Sequence, residues 1–272
     1  MDYLFKQVAI DEISLTEVTS LINLCFPKSV DIETKEYVKW EYEENPEGHV
    51  VGFNAYLGST LAAHYATIPI KMIIDGQKRK GLLSLNTATH PEHRGKGLFV
   101  KLAQQTYNYA KENGYDYVIG VANANSTHGF VKYLGFDLIC PLTFRVGFGL
   151  NINNNKVFTY KRYWDSVLLE WRMKCPSYKY YKGGHSIVSP IMFGAKKIVK
   201  LDTESQLKRL WFRPLNLYVG LGADLNKGFY FSLPKFIKHS PFNLIFKDLT
   251  GGNLPKITPK NIWFELIDFD VA

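Results

Sequence analysis

Residues 87–105, TATHPEHRGKGLFVKLAQQ, hold the clearest chemistry-bearing run in the chain. Arg94, Gly95, Lys96 and Gly97 stand where an extended segment gives way to a long amphipathic one. A helix beginning there offers N–H groups without intrahelical partners and a partial positive charge, and glycine lets the backbone come close to a ligand. Arg94 and Lys96 add two cationic side chains, so the ligand this loop suits is a diphosphate.

A second polar cluster follows in VANANSTHGFVKYLGF, residues 121–136. Asn123, Asn125 and Ser126 are helix-capping types that can also hydrogen-bond a ligand. A free imidazole titrates near neutrality, at about 6.5, so His128 is of a residue type that suits either direction of proton transfer. The strand GLLSLNTATH, residues 81–90, carries no acid and leaves Asn86, Thr87 and His90 as its polar choices.

The elements that position these residues are readable from periodicity and punctuation. Residues 3–10 predict a strand, and Val18, Leu21, Ile22 and Phe26 predict a helix capped by Ser14 or Thr16 and stopped at Pro27. A second helix is expected over 32–44, then a hairpin turning at Gly58 and Ser59, a turn at Asp75 and Gly76, and the strand into the basic loop. The long helix ends at Asn113 and Gly114; the strand DYVIGVA and a helix over 126–134 complete the series.

This order, with the Arg-Gly-Lys-Gly loop and the Leu134-Gly135-Phe136 ending, resembles the GNAT acetyltransferase superfamily. The resemblance implies an α/β fold with a mixed sheet. It implies an acyl-coenzyme A held by Thr87, Ala88, Thr89, Arg94, Gly95, Lys96, Gly97, Leu98, Phe99, Asn125 and Ser126, with a backbone N–H near Ala88 and Thr89 for the thioester carbonyl. Two departures stand out. Phe99 fills a position where the superfamily usually has Gly or Ala, which implies a local shift of the loop. The helix position of the usual acid tyrosine falls at Phe130 or Val131, neither of which donates a proton, so His128 and Asn86 are the catalytic candidates, with water the alternative. Cys25, Cys140 and Cys175 lack metal-ligand spacing, and no metal is expected.

The net charge of +8 is unevenly spread: residues 1–140 hold 13 basic and 16 acidic side chains, and residues 141–272 hold 20 and 9. We divide the chain into an acyl-CoA-binding domain, 1–145, and a C-terminal acceptor-binding region, 146–272. VKWEYEENPEG (38–48) and VLLEWRMKCPSY (167–178) each put a Trp shortly before a Pro, which suggests that the second region is a degenerate second copy of the fold without its own phosphate loop. Strands are expected at AKKIVKL, LNLYVGL, FNLIFKDL and IWFELIDFDV, with helices at ESQLKRLWF and LPKFIKHS. Glu265, Asp268 and Asp270 are candidates to hold an acceptor ammonium, and the aromatic and basic runs KRYW and SYKYYKGG are candidate phosphate contacts.

The long form with a weakly matched second half resembles bacterial enzymes that N-acylate nucleotide-linked amino sugars for surface polysaccharides, and a basic, aromatic-rich half fits such an acceptor. The alternatives are an amino acid, peptide or aminoglycoside acceptor, or a non-catalytic module that binds coenzyme A or, less favoured, nucleic acid. A homo-oligomer is left open. No apolar run approaches the roughly 20 residues of a membrane span and the first residues lack a signal-peptide pattern, so a cytoplasmic enzyme is expected.

Overall fold

The computed structural model describes residues 2–26, 34–148, 157–183, 186–201, 215–223, 225, 229–233 and 241–269. The first part runs β1 (Leu4–Gln7), α1 (Glu12–Cys25), α2 (Lys35–Tyr42), β2 (Val51–Leu57), β3 (Thr60–Ile74), β4 (Gln77–Thr89), α3 (Leu98–Glu112), β5 (Tyr117–Ala122), α4 (Ala124–Leu134) and β6 (Asp137–Pro141). This is the expected order. The N-cap of α1 is Asp11, however, and neither Ser14 nor Thr16: the Asp11 carboxylate accepts from the backbone N–H groups of Ile13 and Ser14, and Ser14 donates its hydroxyl to it. A carboxylate at the mouth of the helix also faces the positive end of its dipole. Helix α2 begins later than expected, at Lys35, behind an N-cap at Thr34.

The second part runs β7 (Thr143–Phe148), β8 (Tyr160–Arg162), α5 (Ser166–Met173), β9 (Tyr181–Gly183), β10 (Ser186–Pro190), β11 (Lys196–Leu201), β12 (Asn216–Leu221), β13 (Phe229–Ser232), β14 (Asn243–Asp248) and β15 (Ile262–Glu265). Four of these match the expected strands, although IWFELIDFDV turns into a short 3-10 segment after Glu265. The helices expected at 204–212 and 233–240 fall almost entirely outside the described residues.

All the strands join one mixed sheet, and its pairings repeat. In the first half β2, β3 and β4 are antiparallel, β4 and β5 are parallel, and β5 is followed outward by β14 and β6, both antiparallel. In the second half β9, β10 and β11 are antiparallel, β11 and β12 parallel, and β12 is followed outward by β7 and β13, both antiparallel. Each half therefore takes its penultimate strand from the other: β7 follows β6 in sequence but pairs in the second half, and β14 follows β13 but pairs in the first. The joint between the halves runs through β3, β8, β15 and β12.

The helices repeat the relation. Trp40 of α2 and Trp171 of α5 stack with ring centroids 4.6 Å apart, and each indole N–H donates to the other residue's backbone carbonyl, at 3.1 and 3.3 Å. The sequence placed these two tryptophans at equivalent helix ends; the fold stacks them across a pseudo-twofold axis. Nearby, the buried Arg162 guanidinium bonds Glu47, donates to the Lys71 carbonyl at 2.7 Å and lies over Trp164. Those interactions correct the reading of KRYW as a phosphate contact, because Arg162 is spent inside the joint.

Glu265 and Asp268 are also buried, 2% and 4% exposed, and their oxygens accept from the backbone of Leu201 and Glu265 and from the Trp164 indole. They bind the C-terminal segment to β11 and are closed to an acceptor ammonium; Asp270 lies outside the described residues.

Replacing Trp171 with Ala removes the stack and the indole bond to the Trp40 carbonyl, and should cost ~3–5 kcal/mol in urea unfolding. Burial, together with the Asp268 charge, raises the Glu265 carboxyl from 4.5 to about 8. The folded state thus keeps a proton that the unfolded chain releases above 4.5, so this contribution is full below that pH and is lost as pH rises through about 8. Thermal melts should show Glu265→Gln flattening the decline between those values.

Candidate active site

The two central strands of the first half part company where the sequence placed the chemistry. β4 pairs with β5 only from Gly81–Tyr117 to Ser84–Gly120, yet β4 runs on to Thr89 and β5 to Ala122. Beyond Ser84 the β5 edge of β4 faces a wedge, where no strand among the described residues pairs with its outward-facing backbone groups. A bulge sits at the same place: Ser84 pairs with Thr67 and Thr87 with Tyr65, so Leu85 and Asn86 stand opposite Ala66 alone. A bulge re-aims side chains and increases local twist, which turns the end of β4 away from β5. The apex is closed by Ser84, whose hydroxyl meets Tyr65 Oη at 2.8 Å, and Tyr65 Oη also meets Tyr107 Oη at 2.7 Å. Burial pushes the Tyr65 phenol up to about 12, so it packs and bonds but does not exchange a proton near neutrality.

At the mouth of the wedge the basic loop enters α3. Gly95 and Gly97 have φ of +74° and +70°, a region that costs other residues strain. Gly97 is the N-cap of α3, so no side chain caps the helix, and a Cβ at either glycine would meet no atom within 4 Å. The result is an uncapped helix start behind an open cradle. Arg94 donates Nε to the Thr89 carbonyl at 3.3 Å and Lys96 donates Nζ to the Glu92 carbonyl at 3.1 Å, which folds both cations over the loop. His90, Glu92 and His93 bring ligand-type atoms within 4.8 Å of one another. His90 Nδ1, though, accepts from the Glu92 backbone and His93 Nδ1 is bonded to Tyr3 Oη, and the neighbouring Arg94 and Lys96 favour an anion over a cation.

Phe99, the bulky departure, has a matching notch. Its ring meets Phe130 edge-on at 5.1 Å, and a Cβ on Gly129 would lie 2.9 Å from its Cε1. The absent side chain at 129 is what admits the ring, and Phe130 is buried against it. Leu98 is buried as the first residue of α3.

At α4 the N-cap is Asn123, which accepts from the backbone of Asn125 and Ser126 and completes a capping box with the Ser126 hydroxyl; Asn125 itself lies exposed. His128 is exposed, with its ring edge-on to Tyr133 at 5.5 Å. Asn86 has quite different company. Its Nδ2 donates to Glu41 Oε2 at 2.9 Å and to Tyr42 Oη at 3.1 Å, and Tyr37 Oη reaches Glu41 Oε1 at 3.4 Å. The chain continues from Tyr42 Oη to His64 Nε2 at 2.8 Å and from His64 Nδ1 to Asn54 Oδ1 at 2.7 Å. Burial lowers His64 to about 3, so the ring is neutral near pH 7.

Glu41, fully buried on α2 and bonded to Asn86 at the bulge, is therefore an acid of the site that the sequence did not reveal. In VKWEYEE it reads as one of several solvated charges. The available signal was His64, a titratable residue inside the apolar run LAAHYATIPI.

Residues 9–139, just under half of the chain, match the family described as an acetyltransferase (GNAT) domain. No curated protein matches the sequence. Among solved structures, the chain is similar to a probable N-acyltransferase, a conserved protein of unknown function, from Enterococcus faecalis V583, with a TM-score of 0.66 at 10% identity over 92% of this chain and 73% of that one. It is also similar to Eis1 from Mycobacterium abscessus, at 0.62 and 10% over 92% and 74%, and to a GCN5-related N-acetyltransferase from Anabaena variabilis ATCC 29413, at 0.60 and 11% over 91% and 74%. At such identities the likeness is one of fold, and it extends through the second half.

The Phe99–Gly129 fit is open to a double-mutant cycle. In a helix interior Gly→Ala gains about 1 kcal/mol, and Gly129→Ala should realise that gain in a Phe99→Ala background but lose it to the clash when Phe99 is present. Denaturant midpoints of the four proteins measure the coupling.

Proposed function

We propose that the chain is an N-acyltransferase that takes an acyl group from a coenzyme A thioester and gives it to a primary amine. The observation that carries this reading is the uncapped start of α3 behind Gly95 and Gly97, set at the mouth of the wedge between β4 and β5. The loop fits a diphosphate because its cradle has room where side chains would stand and both of its cations fold over it.

Arg94, Gly95, Lys96, Gly97 and Leu98 would hold the diphosphate, with Arg94 and Lys96 supplying charge and the N–H groups of the helix start supplying donors. Thr87, Ala88 and Thr89 would line the pantetheine arm from β4, Phe99 would close the floor, and Asn125 and Ser126 would face the arm from α4. The thioester brings an activated acyl carbon. The protein's part is to hold it, offer backbone N–H groups near Ala88 and Thr89 to the developing oxyanion, and exclude water. His128, exposed on α4, is the proposed proton carrier at the leaving thiolate, with solvent as its relay.

For the acceptor we propose a nucleotide-linked amino sugar, with residues 1–145 serving the acyl donor and 146–272 the acceptor, apart from β14, which belongs to the first sheet. The excess of 20 basic over 9 acidic side chains beyond residue 140 supports an anionic acceptor. Among the described residues no helix is long and apolar enough to cross a membrane. A cytoplasmic location belongs to the same proposal.

Purified protein with acetyl-CoA and a panel of nucleotide-linked amino sugars should release free thiol in dependence on one of them; turnover of a polyamine or amino acid alone would overturn the acceptor and keep the reaction. Gly97→Val should lower coenzyme A affinity by about ten-fold or more in calorimetry, because the αL turn is strained and the cradle filled. Arg94→Ala should weaken it with a shallower salt dependence than wild type.

A further inference from the structure

We infer that Asn86, from the region that serves the acyl donor, also holds the reacting amine of the acceptor through its side-chain oxygen, the rest of the acceptor lying against residues 146–272, and that Glu41 is the positioning residue that turns the amide that way. The inference rests on the proposed reaction and gives one of its residues a direction.

The argument is a count of hydrogens. A side-chain amide offers two N–H donors on nitrogen and two acceptor sites on oxygen. Asn86 Nδ2 spends its donors on Glu41 Oε2 and Tyr42 Oη. A carboxylate only accepts, so it fixes the nitrogen inward and decides the amide orientation. Tyr42 gives the same answer independently. Its oxygen accepts from Asn86, and its own hydrogen goes to His64 Nε2, which is an acceptor because the neutral ring carries its proton on Nδ1, towards Asn54 Oδ1. The order continues outward from Asn54 Nδ2 to Tyr56 Oη and from Tyr56 Oη to Glu17 Oε2 at 2.9 Å. Reversing the Asn86 amide would set oxygen against carboxylate and leave Tyr42 without its donor.

What remains is Oδ1, which makes no hydrogen bond among the described residues, on a half-buried side chain at the bulge of β4. An oxygen in that place can accept from an N–H and cannot stabilise an oxyanion, which needs a donor. Asn86 is thereby assigned to the amine and not to the thioester carbonyl. The Asn86 oxygen takes an N–H of the acceptor amine, and the buried Glu41 behind it holds the amide in that orientation.

The test uses the intact protein labelled with nitrogen-15, in which the Asn86 side-chain NH2 pair is identified by its loss in Asn86→Leu. Titration with methylammonium chloride should shift that pair in wild type and in Glu41→Gln, whose amide oxygen still accepts from Nδ2, but not in Glu41→Leu. With an accepted amine, Asn86→Leu and Glu41→Leu should raise its KM by about ten-fold while the KM for acetyl-CoA stays within about two-fold, and Glu41→Gln should restore the amine KM. An Asn86 pair that ignores methylammonium in wild type, or an unchanged amine KM in Asn86→Leu, would overturn the assignment. Acetyl-CoA added to the same sample tests the underlying reaction separately: signals of residues 94–98 that do not move would remove the cofactor reading, and the methylammonium result would still judge Asn86.

Discussion

The site depends on a single pairing constraint: β5 can diverge from β4 beyond Ser84–Gly120 and keep its place in the sheet only if its other edge is held. β14 holds it there by pairing with the opposite edge of β5 along its whole length, from Tyr117–Asp248 to Ala122–Asn243. Asn243 then donates to the Thr127 hydroxyl on α4, which ties the wall of the wedge to the helix above it. The wedge is thus held open by a strand contributed from the far end of the chain, and the bulge at Leu85 and Asn86 turns the opposite wall away.

The second half shows what happens when the same wedge is filled. β11 and β12 pair only from Lys196–Asn216 to Ile198–Tyr218 and then separate, as β4 and β5 do. There the vacated edge of β12 is taken by β15 at Gly220 and Leu221, and Glu265 reaches the backbone of Leu201. The C-terminal segment plugs the second wedge with two buried acids. One architecture has yielded an open cleft with a phosphate-type loop and a closed one without it.

What the sequence disclosed follows from the range of the interactions involved. The glycine loop, the capping of α4 and the hairpin at Gly58 and Ser59 are settled within a few residues, and each was legible. The Phe99–Gly129 fit spans thirty positions, so Phe99 read as an anomaly where it is half of a matched pair. The strand exchange was beyond reach, because periodicity identifies FNLIFKDL as a strand but says nothing of its partner. Glu41 was hidden for another reason: its burial comes from partners distant in sequence, Asn86 of β4 among them, and a charged residue among charged neighbours carries no local mark of it. KRYW misled by composition, since Arg162 and Trp164 serve the joint between the halves.

The exchange of β7 and β14 also sets an order of events during synthesis. The loop, α3 and β5 leave the ribosome long before residues 243–248, so the first half emerges with one β5 edge lacking its partner for some hundred residues of translation. A chain interrupted anywhere in that interval would carry a complete phosphate-type loop on an unfinished sheet, with a bare strand edge open to pairing with other chains. Maturation of the cleft is therefore a late, long-range event, and the second half acts first of all as the intramolecular partner that completes it.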